Sequence, residues 1–308
     1  MIAVISGGVG AARFLSGLTQ VVEPAEITAI GNVGDDIELH RLHVSPDLDT
    51  ITYTLAGAIN PDTGWGLAGE SWQAMETLGR YGGPTWFNLG DRDLGTHLYR
   101  SGRMSEGATL AEVTAEITRA WGVDIVLLPA TNDRLRTMIT VAGEGEISFQ
   151  EYFVHRQHAV PVAGIRFDGA QASCAAPGVF EAIESAEMVV IAPSNPLVSI
   201  DPVLAVPGLR AAVMARRDRT VAISPIVAGA AIKGPADRLM RELGHVASVV
   251  GVSEIYAELA STLVVDEADA ALAQGVEAAG LRCIVAPTIM SDPQAAGALA
   301  ETVLGAFP

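Results

Sequence analysis

The sequence predicts an α/β protein: a Rossmann-like, doubly wound parallel sheet in three αβα layers, with a helical cap insertion and a small antiparallel β excursion. Three observations predict it. Short β-branched apolar runs recur along the chain, and several are followed by a stretch with helical spacing. The runs are nearly continuous in apolar character rather than alternating, as strands covered by helices on both faces require. Alternating β and α units, in turn, wind a parallel sheet.

Taken in order, Ile2 to Ile5 is a buried-strand run and Ala11 to Val21 the helix after it; Glu26 to Gly31 is the second strand. Further strands are predicted at Asp124–Leu128, Met188–Ala192, Val221–Val227, Val246–Val250, Thr262–Val265 and Arg282–Ala286. Helices are predicted at Pro235–Leu243, Asp269–Ala279 and Asp292–Leu304. Residues 48–121 break this rhythm with several helical patterns and almost no strand; the capping box Thr109-Leu-Ala-Glu112 opens one of those helices. Residues 134–168 read as short antiparallel strands, turning near Gly143-Glu-Gly145 and Gly164. No repeat or low-complexity linker intervenes, so residues 1–308 are predicted to form one domain with both excursions built in.

Composition narrows the function classes. A hydrophobic fraction of 49% supplies a substantial core, and 32 glycines suit many tight strand-to-helix turns. Lys+Arg number 19 against 36 Asp+Glu, a formal charge of -17, which argues against a nucleic-acid or anionic-membrane binder. A small anionic substrate is compatible, provided helix N-termini, a few arginines or a divalent metal overcome the global field. Cys174 and Cys283 lie far apart, so neither a disulfide framework nor a cysteine zinc site is expected. The chain opens directly on an apolar strand and contains no run near the roughly 18 apolar residues of a membrane span. A cytoplasmic protein is expected.

Six segments carry chemistry. Ser6-Gly-Gly-Val-Gly-Ala-Ala-Arg13 ends the first strand and opens the first helix. Its glycines, Gly7, Gly8 and Gly10, let backbone N–H groups approach an anion, helped by about half a unit of positive charge at the helix N-terminus. A dinucleotide fold would place glycine or alanine where Arg13 stands and an acid at the end of strand two, where this chain has Gly31-Asn32. Phosphate binding is therefore favoured over dinucleotide binding. Gly31-Asn-Val-Gly-Asp35-Asp36 follows strand two, on the ligand-bearing edge of a parallel sheet. Its aspartates either serve a divalent cation or cap the next helix.

Ser45-Pro-Asp-Leu-Asp-Thr50 places Asp47 and Asp49 before a helical run predicted over Thr50–Ala58; one can cap that helix while the other faces the cleft. Asp35, Asp36, Asp47 and Asp49 make four carboxylates within fifteen residues. A magnesium ion relieves such repulsion and also binds substrate phosphates. In Leu89-Gly-Asp-Arg-Asp-Leu-Gly-Thr-His97, Arg92 either offers a phosphate two parallel hydrogen bonds or forms a surface ion pair with its flanking aspartates. Ala192-Pro-Ser-Asn-Pro196 and Ser224-Pro-Ile-Val-Ala-Gly-Ala-Ala-Ile-Lys-Gly-Pro235 follow strong strands and reach the same sheet edge, the second ending with Pro235 at a helix start. They contribute Ser194, Asn195, Gly229 and Lys233; the Asn195 amide can read a nucleobase or a carboxylate. His40, His43, His155 and His158 read as solvated or locally bonded, and no GxSxG elbow is present.

Together these segments resemble the 2-phospho-L-lactate transferase family, through SGGVGAAR at 6–13, DD at 35–36, SPDLDT at 45–50, LGDRDLGTH at 89–97, APSNPLVSI at 192–200 and SPIVAGAAIKGPADRLM at 224–240. The likeness spans nearly the whole chain, in its actinobacterial, alanine-rich form. It implies transfer of a phospho-three-carbon acid, phosphoenolpyruvyl or 2-phospho-L-lactyl, from a guanosine diphosphate ester to the ribityl hydroxyl of the deazaflavin Fo, releasing GMP in coenzyme F-420 biosynthesis. It also implies a magnesium ion and a homodimer. On this resemblance Gly7, Gly8, Gly10 and Arg13 hold the diphosphate, and Asn32, Ser194, Asn195, Gly229 and Lys233 contact the nucleotide or the acid. Asp35, Asp36 and Asp49 become the metal set; Asp36, Asp49 and Arg92 become catalytic residues, with Asp49 also meeting Fo. Two other classes compete: an NAD(P)-dependent oxidoreductase using the first glycine loop, and a non-catalytic nucleotide-binding protein of the same fold.

Overall fold

The computed structural model describes residues 1–306. Seven parallel strands form the central sheet in the order Arg282–Val285, Thr262–Val265, Thr220–Ile223, Met188–Ile191, Ile2–Ser6, Ile27–Gly31, Val126–Pro129. Ile2–Ser6 (β1) pairs with Ile27–Gly31 (β2), Ile2 opposite Ile27 and Ser6 opposite Gly31, and on its other side with Met188–Ile191. Every residue of these three strands is buried, and all but Ser6 and Thr28 are apolar, as cover on both faces requires. From β1 the sheet grows outward through β2 to Val126–Pro129; the chain then crosses back to the far side of β1. At that reversal, loops leaving neighbouring strands diverge and open a crevice at their C-terminal ends.

Helix Gly8–Leu18 (α1) follows β1 at once and buries Ala11, Ala12, Phe14, Leu15 and Leu18. The cap insertion comprises helices Pro46–Leu55 (α2), Gln73–Arg80, Asp93–Ser105 and Leu110–Ala120. The last opens with the expected capping box: the Glu112 N–H donates to Thr109 Oγ1 and the Thr109 N–H to the Glu112 carboxylate. The β excursion is a three-stranded antiparallel sheet, Arg136–Val141 between Gly145–Ser148 and Val162–Asp168, with a helical turn at Glu151–His155.

Four local expectations are corrected. Val246–Val250 is no strand: Ser248 caps a helix running Val249–Tyr256, its hydroxyl accepting from the Gly251 N–H. A short apolar run does not by itself distinguish strand from buried helix. α2 begins at Pro46, four residues earlier than expected, so Asp47 and Asp49 belong to its first turn. Asp35-Asp36 caps no helix, since the hairpin Ile37–Leu39/Leu42–Val44 follows. Val221–Val227 divides into the sheet strand Thr220–Ile223 and a hairpin strand, Ile226–Val227, pairing with Ala230–Ala231.

Candidate active site

A cavity of about 500 Å³ opens at the crevice, a size suited to a small-molecule site. Its floor is the first glycine loop with Pro193, Ser194 and Asn195. Its walls come from α2, the cap helices, the β excursion and the loop before Ala236.

The first and fifth loops are locked together. A Cβ at Gly10 would lie 2.1 Å from the Pro193 carbonyl oxygen, so only glycine admits that approach, and Gly8 holds φ +68. The Ser194 hydroxyl donates to the Gly7 carbonyl at 2.6 Å. Asn195, on the cavity wall, accepts from the Leu197 N–H through its side-chain oxygen, while its buried Nδ2 has no partner among the described residues. An amide donor is thus left unpaired at the cavity wall.

Next to the start of α1 stand two buried carboxylates, Asp35 and Asp47. Asn32, at the end of β2, is not on the wall; its amide donates to Asp47 Oδ2 at 2.9 Å and its oxygen accepts from the Gly34 N–H at 2.7 Å. Asp47 lies against the loop: a Cβ at Gly7 would come within 3.0 Å of its Oδ2, and the Gly8 N–H pulls its carboxyl down. Asp35 Oδ1 is buried without a partner among the described residues. Burial, and then the charge of Asp47, push the Asp35 carboxyl well above the usual range; burial pushes Asp47 up to about 6 against the pull of its Asn32 bond.

Asp36 turns away from the cavity: its Oδ2 accepts from the Ser45 hydroxyl at 3.0 Å and meets His43 Nε2 at 2.8 Å. Asp49 lines the cavity, but both its oxygens are held by Arg100, which is 1% exposed. Burial raises the Asp49 carboxyl, with the Arg100 charge opposing. Arg100 belongs to a buried cluster that sequence reasoning missed. Tyr53 donates to Asp93 Oδ1 at 2.6 Å, and His97 lies with Nε2 3.3 Å from Asp93 and Nδ1 3.3 Å from Arg100. The signal was available: Asp93, His97 and Arg100 are spaced four and three apart, on one helix face.

Arg92 is not brought to the cavity. It is exposed, and its guanidinium donates to the Ala68 carbonyl. Gly229 supplies φ +77 in the Ile226–Ala231 hairpin and is likewise off the wall. Arg13 and Lys233 are on it. Among the histidines, His43 bonds Asp36, His155 stacks on Trp86 and His158 on Phe153; His40 Nε2 is buried without a partner among the described residues.

Residues 2–287 match the family described as 2-phospho-L-lactate transferase CofD. The chain belongs to that family. Among its curated relatives, the phosphoenolpyruvate transferase of Streptomyces griseus is 44% identical over 308 residues, covering 98% of this chain and 97% of that one. The phosphoenolpyruvate transferase of Mycolicibacterium smegmatis is 40% identical, covering 98% and 97%. The fold is shared with the Bacillus halodurans protein BH3568, whose crystal structure superposes with a TM-score of 0.66 at 18% identity over 98% of each chain.

Among the described residues no group of three or more His, Cys, Asp or Glu is arranged to hold a metal, and no helix is long and apolar enough to cross a membrane. Two carboxylates nonetheless fit magnesium, which keeps several waters and completes its shell with substrate phosphates. The orphaned Asp35 Oδ1, beside an Asp47 that repels it, fits a dication in the same way.

Proposed function

We propose that this chain transfers a phospho-three-carbon acid, phosphoenolpyruvyl as in the names of its relatives, from a guanosine diphosphate ester to the terminal ribityl hydroxyl of the deazaflavin Fo. GMP is released, and the reaction belongs to coenzyme F-420 biosynthesis. The observation that carries it is the pairing of Asp35 and Asp47 with the glycine-rich start of α1 inside one cavity. Backbone amides and acids converge there where a diphosphate is to be bound.

The hydroxyl oxygen bonds to the phosphorus bearing the acid, the anhydride bond to GMP breaks, and the hydroxyl proton leaves. Such a transfer depends mostly on positioning and charge stabilisation. The N–H groups at the start of α1 cradle the diphosphate, held in place by the Ser194–Gly7 bond. Asp35 and Asp47 would hold a magnesium ion, which would neutralise phosphate charge. Asn195 offers its free amide to the nucleotide. Asp49 faces the acceptor, fixed by Arg100, and Tyr53, kept a neutral donor by burial and nearby carboxylates, holds Asp93 beside it. The apolar wall of Phe87, Phe149 and Phe153 suits the flat ring system of Fo and excludes water.

The first glycine loop does not favour a nicotinamide dinucleotide, because β2 ends on Gly31 and is followed by Asn32, whose amide is committed to Asp47, rather than by an acid. The deciding experiment incubates the protein with Fo, the guanylylated acid and magnesium, and follows GMP by chromatography. Folded protein that yields no GMP with either the enolpyruvyl or the lactyl donor would refute the assignment.

A further inference from the structure

Lys233 is the only lysine among the 19 basic residues of the chain. It lies on the cavity wall, between the hairpin ending at Ala231 and the helix Ala236–Glu242. Arg13 shares that wall from α1. The two are near enough that Arg13 adds to burial in lowering the Lys233 ammonium below its usual range.

Among the described residues neither cation reaches a carboxylate. Arg13 gives one 3.3 Å bond to the Met290 carbonyl and Lys233 one 3.3 Å bond to the Thr63 carbonyl. Neither takes part in an ion pair among the described residues. In a chain of formal charge -17, an unneutralised pair of like charges on a cavity wall carries a cost that an anion between them removes. Both have donors to spare, so each can keep its carbonyl and still bind an anion.

The donor required by the proposed function carries two anionic parts, a diphosphate and a carboxylate. The start of α1 with Asp35 and Asp47 accounts for the diphosphate. Arg13 lies five residues beyond Gly8, about 7.5 Å further along the helix axis. That is the span of a phosphate with a short acid attached. We propose that Arg13 and Lys233 form the subsite for the carboxylate of the three-carbon acid, with Lys233 its specificity-determining cation. The assignment rests on the transferase function proposed above.

With one lysine, an amine-selective acylating reagent has two targets, Lys233 and the N-terminal amine, and peptide mass mapping separates them. The protein is labelled with magnesium but without Fo, in the presence of nothing, GDP, or the guanylylated enolpyruvate donor, with occupancy set by calorimetry. The donor is expected to slow acylation of Lys233 by about tenfold or more at saturation, while GDP leaves it near the unliganded rate. Equal protection by GDP would place the diphosphate at the pair and overturn the carboxylate assignment. Bound donor that gives no protection overturns it too, yet leaves the transferase function standing if GMP still forms with Fo. Donor that neither binds nor yields GMP removes both. In parallel, Lys233→Gln is expected to raise the donor KM roughly ten- to hundredfold, with kcat and GDP affinity nearly unchanged, and Lys233→Arg to recover most of the loss. An unchanged donor KM in Lys233→Gln refutes the subsite.

Discussion

Replacing Arg100 with methionine removes the guanidinium that grips both oxygens of Asp49 and leaves that carboxylate buried without its partner. Arg100 is 1% exposed and Asp49 5%, so water does not compensate. Breaking a buried pair from one side costs about 3–5 kcal/mol. Unfolding entropy of about 2.1 cal/mol/K per residue makes each degree worth about 0.65 kcal/mol in a chain of 308 residues, so the melting temperature should fall by about 5–8 °C. Asp49→Leu should cost a similar amount, because it strands a guanidinium that cannot lose its charge. The double variant, with apolar groups filling both positions, should return to within about 2 kcal/mol of the parent. Calorimetric melting of the four proteins closes the cycle. A shift below about 1 °C in Arg100→Met, or a double variant that loses the sum of the two singles, would refute a buried and mutually dependent pair. GMP release then separates stability from chemistry. The restored double variant should remain nearly inactive because Asp49 faces the acceptor, and near-normal turnover would confine Asp49 to holding Arg100.

Asp47→Asn should cut GMP release by about a hundredfold or more while raising the melting temperature, since it relieves repulsion with Asp35; a chelator should silence the parent and magnesium restore it, and a chelator-insensitive rate would remove the metal. Gly10→Ala drives a methyl group against the Pro193 carbonyl and should cost about 1–3 kcal/mol and weaken GDP binding in a fluorescence titration; unchanged affinity would show that the loops can part. Thr109→Ala should lower stability by about 1 kcal/mol without touching turnover, as a cap remote from the cavity would, and an activity loss would contradict that separation. Asp266 is held below the ordinary carboxylate range, burial being outweighed by the N–H groups of Thr288 and Ala268. Its contribution is therefore present above about pH 4 and lost as pH falls through its folded value. Asp266→Asn should show a smaller acid-side drop in melting temperature than the parent, and superimposable profiles would refute the assignment.

The sequence by itself determined the layer architecture and the corner of the sheet that carries the site. Continuously apolar strands demand cover on both faces, and a glycine turn between a buried strand and a helix marks the edge where anions bind. The Thr109 cap was readable because its two hydrogen bonds lie within one helical turn. Val246–Val250 was misread because apolar character is shared by strands and buried helices; the Ser248 cap was the local clue against it. Which aspartate meets which neighbours was decided only in three dimensions. Asp47 and Asp49 stand two residues apart on α2, about 200° around the helix, so they diverge, one toward Gly8 and Asn32 and the other toward Arg100. In the same way Arg92 lies at the start of a helix and swings out to Ala68, while Arg100, two turns later on the same helix, is carried inward. Residue type fixes which chemistry is possible, but helix phase and packing decide which copy of it meets the cavity.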